Sequence, residues 1–129
     1  MTKIDPILAV KDVKVSAVWY QSIFGRKRTN GGDEFAVLED EKDEILICLH
    51  KWGEHEHPTM TNLKITAGNG LILLFKTDNL NVIRQNVANM DYPVEEDIHL
   101  NTNSTKNEFS LRDPNGYYIT ITEYHEYEG

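Results

Sequence analysis

The chain has 129 residues, of which 40% are apolar and 26% charged, and its formal net charge is −8 at pH 7. This length and composition predict one globular domain that can bury a core, and they argue against a disordered chain. The acidic excess disfavours nucleic acids and anionic membrane surfaces as partners and favours neutral or cationic ligands. No apolar run is long enough to cross a membrane and no charged-then-apolar leader precedes Ile4, so we expect neither a membrane segment nor a secretory signal. The single cysteine, Cys48, lies in an apolar run and is expected to be a small buried residue of a cytoplasmic protein.

The first half of the chain predicts the order strand, helix, strand, strand, strand. Residues 4–10 predict the first strand, and residues 13–24 predict a helix with Asp12 at its N-cap and Gly25 at its end. Three short strands are then predicted at residues 26–30, 35–39 and 44–50.

The second half predicts the same order. An apolar strand at residues 71–75 is followed by a helix that Asp78 can cap, with Leu80, Ile83 and Val87 on one face. Strands are predicted at residues 93–98, 108–112 and 117–123, with the turn Asp113-Pro114-Asn115-Gly116 making a hairpin of the last two. The shared order indicates an internal duplication.

These elements predict an α+β fold of two βαβββ repeats in a single domain spanning residues 1–129. The repeats cover residues 4–50 and 70–124, and the polar linker covers residues 51–69. One helix covers only one face of a sheet, so the two open faces are expected to enclose a cavity. In the last strand Tyr118, Thr120 and Thr122 alternate with apolar residues, and this threonine face is predicted to face the cavity.

Three stretches in register with the duplication resemble the vicinal oxygen chelate superfamily, which includes glyoxalase I, extradiol dioxygenases, fosfomycin-modifying enzymes and bleomycin-resistance proteins. They are PILAVKDVKVSAVWYQSIFG, ILLFKTDNLNVIRQNV and FSLRDPNGYYITI, and together they cover most of the chain. The resemblance implies a cavity between curled mixed sheets and a homodimer, with exchange of repeats between the chains as one option.

Catalytic members of that superfamily bind a metal through four inward-facing residues, typically His and Glu. The resemblance places these positions at Asp5, Ile47, Ile72 and Thr120, and a slip of one residue would replace Ile47 by Leu46 or Cys48. Two isoleucines supply no lone pairs and a neutral threonine hydroxyl is a poor metal ligand. The chain is therefore closest to the metal-free, bleomycin-resistance-like branch, and we expect no cofactor.

The stretch HKWGEHEHP, residues 50–58, leaves the first repeat and contains three histidines and two glutamates. A hydrated linker is the simpler interpretation, and a metal site is the alternative. If this loop folds over the cavity mouth, it brings Trp52 and His57 to a ligand. The predicted ligand-binding residues are Asp5, Ile47, Trp52, His57, Ile72, Leu74, Tyr118 and Thr120.

This set predicts an apolar cup with a few hydroxyls and one carboxylate, which suits an apolar or aromatic compound, cationic as one option with Asp5 as its counter-ion. The favoured function is metal-free binding of such a small molecule, with no nucleic acid or membrane partner. The alternative is a lyase or dioxygenase of the glyoxalase kind whose unconventional metal site combines Asp5 with linker histidines. The sequence leaves enzyme activity open and favours binding.

Overall fold

The structure, a computed structural model, describes residues 4–25, 30–53 and 71–124. The chain forms two compact units, Met1–Ala67 and Gly68–Gly129, and their boundary falls inside the predicted linker. Within the described residues each unit carries one helix and one four-stranded mixed sheet, which confirms the α+β class and the duplicated βαβββ order. Most of the linker and the predicted strand at residues 26–30, apart from its last residue, lie outside the described residues. The predicted cavity is not a feature of either unit alone, so it remains a prediction.

The helix of the first unit begins and ends where the sequence predicts. The Asp12 carboxylate accepts a hydrogen bond from the Val15 amide at 3.1 Å, and Gly25 ends the helix in the left-handed conformation at φ 71°. The strand order is β1-β4-β3-β2, with β1 parallel to β4 and the other pairs antiparallel. The elements are β1 Ile7–Val10, α1 Val13–Phe24, β2 Asn30–Gly31, β3 Phe35–Glu39 and β4 Ile45–Lys51.

A β-bulge interrupts the pairing of β3 with β4. Leu38 pairs with Ile47, but the next residue of β3, Glu39, pairs with Ile45, so Leu46 is the extra residue on β4. A bulge of this kind shifts the alternation of side chains by one residue along the strand. Side chains of β4 on the two sides of Leu46 therefore cannot be assigned to a face by counting in twos.

The second unit repeats the arrangement with strand order β5-β8-β7-β6, in which β5 is parallel to β8. Leu80, Ile83 and Val87 are the buried residues of its helix, as predicted. The predicted cap Asp78 is wrong: the N-cap residue is Asn79, whose amide donates to the Thr77 hydroxyl at 2.9 Å. The elements are β5 Ile72–Thr77, α2 Leu80–Asn89, β6 Glu96–Asn101, β7 Lys106–Arg112 and β8 Tyr118–Glu123.

The turn between β7 and β8 confirms the predicted hairpin. The Gly116 amide donates to the Asp113 carbonyl at 3.0 Å, and Gly116 has a positive φ of 91°. The Asp113 carboxylate is buried and accepts from the amides of Asn115 and Tyr117 at 2.9 and 2.8 Å. This carboxylate therefore fixes both the turn and the register of β8.

The predicted strand at residues 93–98 is shifted toward the C-terminus, because β6 begins at Glu96. Pro93 has no amide hydrogen for the ladder, which disfavours an earlier start. Neither helix among the described residues is both long and apolar enough to cross a membrane.

Candidate functional site

Within the described residues of the second unit, α2 packs against one face of the sheet, and no second helix of that unit covers the other face. Side chains two apart in a strand, and paired side chains of neighbouring strands, point to the same side. On one side, Leu73, Phe75, Phe109, Ile119 and Ile121 are all buried, which is the side packed against α2. We call the other side the second open face, and it carries Ile72, Leu74 and Lys76 of β5, Tyr118, Thr120 and Thr122 of β8, and Arg112, Ser110 and Glu108 of β7.

The apolar part of the second open face lies along β5, an edge strand of the sheet. Ile72 is 62% exposed and Leu74 is 43% exposed, although both are large apolar side chains. Ile72 pairs with Tyr118, and Leu74 pairs with Thr120. The structure thus brings together four residues of the predicted ligand set on one face.

The middle of this face carries a pair of buried hydroxyl groups. Ser110 is 1% exposed and Thr120 is 6% exposed, and their oxygens are 2.9 Å apart, so one hydroxyl donates to the other. The next hydroxyl along β8, that of Thr122, donates to the Asn107 carbonyl at 3.4 Å. Ser110 is not among the ligand-binding residues predicted from the sequence. Its position opposite Thr120 nevertheless follows from the register of the predicted hairpin.

The polar part of the face lies on β7. The Arg112 guanidinium lies over the Tyr118 ring at 5.0 Å, and its Nε is 3.5 Å from a Glu95 carboxylate oxygen. Another guanidinium nitrogen of Arg112 donates to the Gly116 carbonyl at 2.9 Å. The second open face therefore carries Ile72, Leu74 and Lys76 on β5, hydroxyl groups in its middle, and the charged side chains of Arg112 and Glu108 on β7.

The sheet of the first unit has a corresponding open face, made of Ile7, Ala9, Phe35, Val37, Cys48 and His50. Ile7 and Phe35 are large apolar side chains that are exposed, whereas Cys48 and His50 are buried. The rings of Phe35 and His50 contact edge to face, with centroids 6.2 Å apart, and Nδ1 of His50 lies 2.8 Å from the Lys51 carbonyl. This first open face is mainly apolar.

The register corrects the alignment that placed Ile47 among the inward-facing residues. Ile47 is 1% exposed and pairs with Leu38 on the face that packs against α1, together with Leu49. Cys48 instead shares the open face with Ile7, its partner in β1. The cause is the bulge at Leu46, so Ile47 is a core residue and Cys48 occupies the open-face position.

Asp5 precedes β1 and is exposed. Burial raises the pKa of the Cys48 thiol, and the nearby Asp5 carboxylate raises it further, because both disfavour the thiolate. Trp52 is half-buried, and its amide donates to the Val10 carbonyl at 2.8 Å, which holds the end of β4 beside β1. His57 lies outside the described residues.

The residues at the four positions that the resemblance assigns to metal ligands do not fit a metal ion. Ile72 has no donor atom, the Thr120 hydroxyl is bonded to Ser110, and Asp5 is a single carboxylate. If Cys48 takes the position that the alignment gave to Ile47, as the register indicates, it adds one thiol, and burial raises the pKa of that thiol. Among residues 4–25, 30–53 and 71–124, no group of three or more His, Cys, Asp or Glu side chains is placed to hold a metal ion.

A groove of about 400 Å³ lies elsewhere in the second unit, where β5 ends and α2 begins. Its walls include Asp78, Lys106 and Glu123, so charges of both signs line it. It contains none of the predicted ligand-binding residues, and we assign no ligand to it.

Comparison with known proteins identifies the fold. No protein-family model matches the chain, and no curated protein matches it significantly. A protein of unknown function from Agrobacterium tumefaciens is similar at TM-score 0.77 and 20% identity, over 97% of this chain and 95% of that one. A lactoylglutathione lyase from the same organism is similar at TM-score 0.69 and 16% identity, over 95% and 92% of the two chains. A glyoxalase / bleomycin resistance protein from Catenulispora acidiphila is similar at TM-score 0.68 and 17% identity, over 97% and 100%. At these identities the likenesses show the fold alone, and the chain has the vicinal oxygen chelate fold.

Proposed function

We propose that this protein binds a small apolar or aromatic molecule, neutral or cationic, without a metal ion, in the manner of bleomycin-resistance proteins. The observation that carries the proposal is the second open face, where exposed Ile72 and Leu74 adjoin Tyr118 and a pair of buried hydroxyls. Apolar surface with a few polar groups at fixed positions is the usual composition of a small-molecule site. Covering Ile72 and Leu74 with a ligand stabilises the complex by about 25 cal/mol for each Å² of apolar surface removed from water.

The fold is compatible with binding proteins and with enzymes. The similar structures include a glyoxalase / bleomycin resistance protein and a lactoylglutathione lyase, so the same fold occurs in proteins with different names and functions. Binding is favoured over metal-dependent catalysis because the residues at the metal positions lack the necessary donors. We also propose that the protein is a homodimer in the cytoplasm.

A thermal-shift panel of neutral and cationic naphthalene derivatives tests the proposal. A ligand at a hundredfold excess over its dissociation constant stabilises the fold by about 2.7 kcal/mol, which corresponds to a rise of several degrees in melting temperature. We expect Leu74→Ser to reduce this rise, because Leu74 is 43% exposed on the second open face.

The matched control is Val82→Ser on α2, since Val82 is also an exposed apolar residue but belongs to the helix. Ligands should stabilise this variant as they stabilise the wild type. If no compound of the panel raises the melting temperature, or if Leu74→Ser responds like Val82→Ser, ligand binding at this face is refuted.

The proposed role of Asp5 as a counter-ion is tested by the same panel. Asp5→Asn keeps the shape of the side chain and removes its charge, so we expect weaker binding of cationic compounds and unchanged binding of neutral ones. If Asp5→Asn weakens the binding of cationic and neutral compounds equally, Asp5 is not a counter-ion of the ligand.

A further inference from the structure

We propose that the ligand carries a neutral acceptor oxygen, such as a ketone or amide carbonyl, that accepts a hydrogen bond from the Thr120 hydroxyl. This inference rests on the proposed function and narrows the class of ligand. It starts from the buried Ser110 and Thr120 hydroxyls, whose oxygens are 2.9 Å apart.

One of the two hydroxyl protons is not used by the hydrogen bond within the pair. Two hydroxyls bring two protons, and the hydrogen bond between them uses only one. Within the described residues, neither hydroxyl makes a further side-chain hydrogen bond, in contrast to Thr122, which donates to the Asn107 carbonyl. Buried hydroxyl protons are nearly always paired, so the remaining proton calls for an acceptor.

Position on the face indicates which hydroxyl keeps the spare proton for a ligand. Thr120 pairs with exposed Leu74, whereas Ser110 lies one strand farther from this apolar edge and is 1% exposed. A ligand covering Ile72 and Leu74 meets the Thr120 hydroxyl first. Ser110 then acts as a positioning residue, since by donating to Thr120 it directs the Thr120 proton toward the ligand.

The surrounding charges favour a neutral acceptor over a carboxylate. Ser110 pairs with Glu96 on β6, and Glu108 lies in the neighbouring row of the same face. Both cations of this face already have partners. The guanidinium of Arg112 lies beside Glu95 and donates to the Gly116 carbonyl, and the Lys76 ammonium lies 5.9 Å from the centroid of the Tyr124 ring. An anionic ligand would face these carboxylates in a chain of net charge −8, whereas a carbonyl oxygen accepts the proton without that repulsion.

The test compares two neutral probes of the same shape, 2-acetylnaphthalene and 2-isopropenylnaphthalene, which differ only in having C=O or C=CH2. Dissociation constants are measured by fluorescence titration for wild type, Thr120→Val, Ser110→Ala and Thr122→Val. We expect the wild type to bind the ketone about tenfold more tightly than the hydrocarbon, as one hydrogen bond to a buried donor provides. The ratio of the two constants within one variant cancels any general loss of stability.

Thr120→Val should reduce the ratio to about one, Ser110→Ala should reduce it only partly, and Thr122→Val should leave it at the wild-type value. A wild-type ratio near one, or an unchanged ratio in Thr120→Val, overturns the inference while ligand binding itself stands. If neither probe binds the wild type, this inference fails, while the proposed function is decided separately by the thermal-shift panel of neutral and cationic compounds.

Discussion

The assignment of Ile47 to the core and Ile72 to an open face makes a quantitative prediction for two identical substitutions. Ile47 is 1% exposed, and removing a buried isoleucine to alanine costs about 2–5 kcal/mol, so we expect Ile47→Ala to lower the free energy of unfolding by about 3 kcal/mol. Ile72 is 62% exposed, so less than half of its surface is buried. Since complete burial of isoleucine contributes about 1.5–3 kcal/mol, Ile72→Ala should cost about 1 kcal/mol or less.

Urea unfolding followed by circular dichroism measures both costs, with equal m-values as the condition for comparing them. Similar costs for the two variants, or a larger cost for Ile72→Ala, would refute the register and the bulge at Leu46.

The corresponding glutamate variants should differ in the pH dependence of their stability. Burial raises the pKa of a carboxyl group at position 47 above its unfolded value, so the stability of Ile47→Glu should fall as the pH rises from about 4, while Ile72→Glu should follow the wild type.

Four further outcomes are expected. Asp113→Ala should cost about 2–4 kcal/mol in urea unfolding, because the buried carboxylate accepts hydrogen bonds from two amides of the β7–β8 turn, and a cost below about 0.5 kcal/mol would contradict this role. Cys48 should react with iodoacetamide at pH 8 more slowly in the folded than in the urea-unfolded protein, because burial raises the thiol pKa. Asp5→Asn should speed the reaction, because it removes a carboxylate that raises this pKa. An unchanged rate in Asp5→Asn would show that Asp5 does not act on the thiol. Elemental analysis of protein purified without an affinity tag should find no stoichiometric transition metal, whereas one ion per chain that is lost on Asp5→Ala would favour the enzyme alternative. Light scattering at micromolar concentration should give about twice the 14.9 kDa chain mass, and a monomer at every dilution would exclude the homodimer.

Local signals in the sequence were sufficient for much of the fold. Both ends of α1 follow from Asp12 and Gly25, and the last hairpin follows from the turn that Asp113 begins, because capping and turn geometry depend on adjacent residues. The cap of α2 was one residue off, since Asp78 and Asn79 are both good N-cap residues and the sequence does not rank them.

The candidate site was harder to predict, because it depends on which strands pair and in which register. Alternation in β8 placed Tyr118 and Thr120 together on one face, and no bulge disturbs that strand. Ser110 belongs to a different strand and becomes part of the site only through pairing with Thr120. Ile47 was misplaced because an extra residue in β4 leaves no mark in a run made entirely of apolar side chains.

The bulge at Leu46 also bears on how chains of this fold are aligned. Deleting Leu46 would leave Leu38 opposite Ile47 and Glu39 opposite Ile45, so the strand would lose one residue and keep the same side chains on each face. Adding or removing this one residue therefore changes the length of the strand without moving any side chain to the other face. An alignment that allows gaps only in loops would then pair core residues of one chain with open-face residues of another, and functional residues transferred across β4 would be displaced by one.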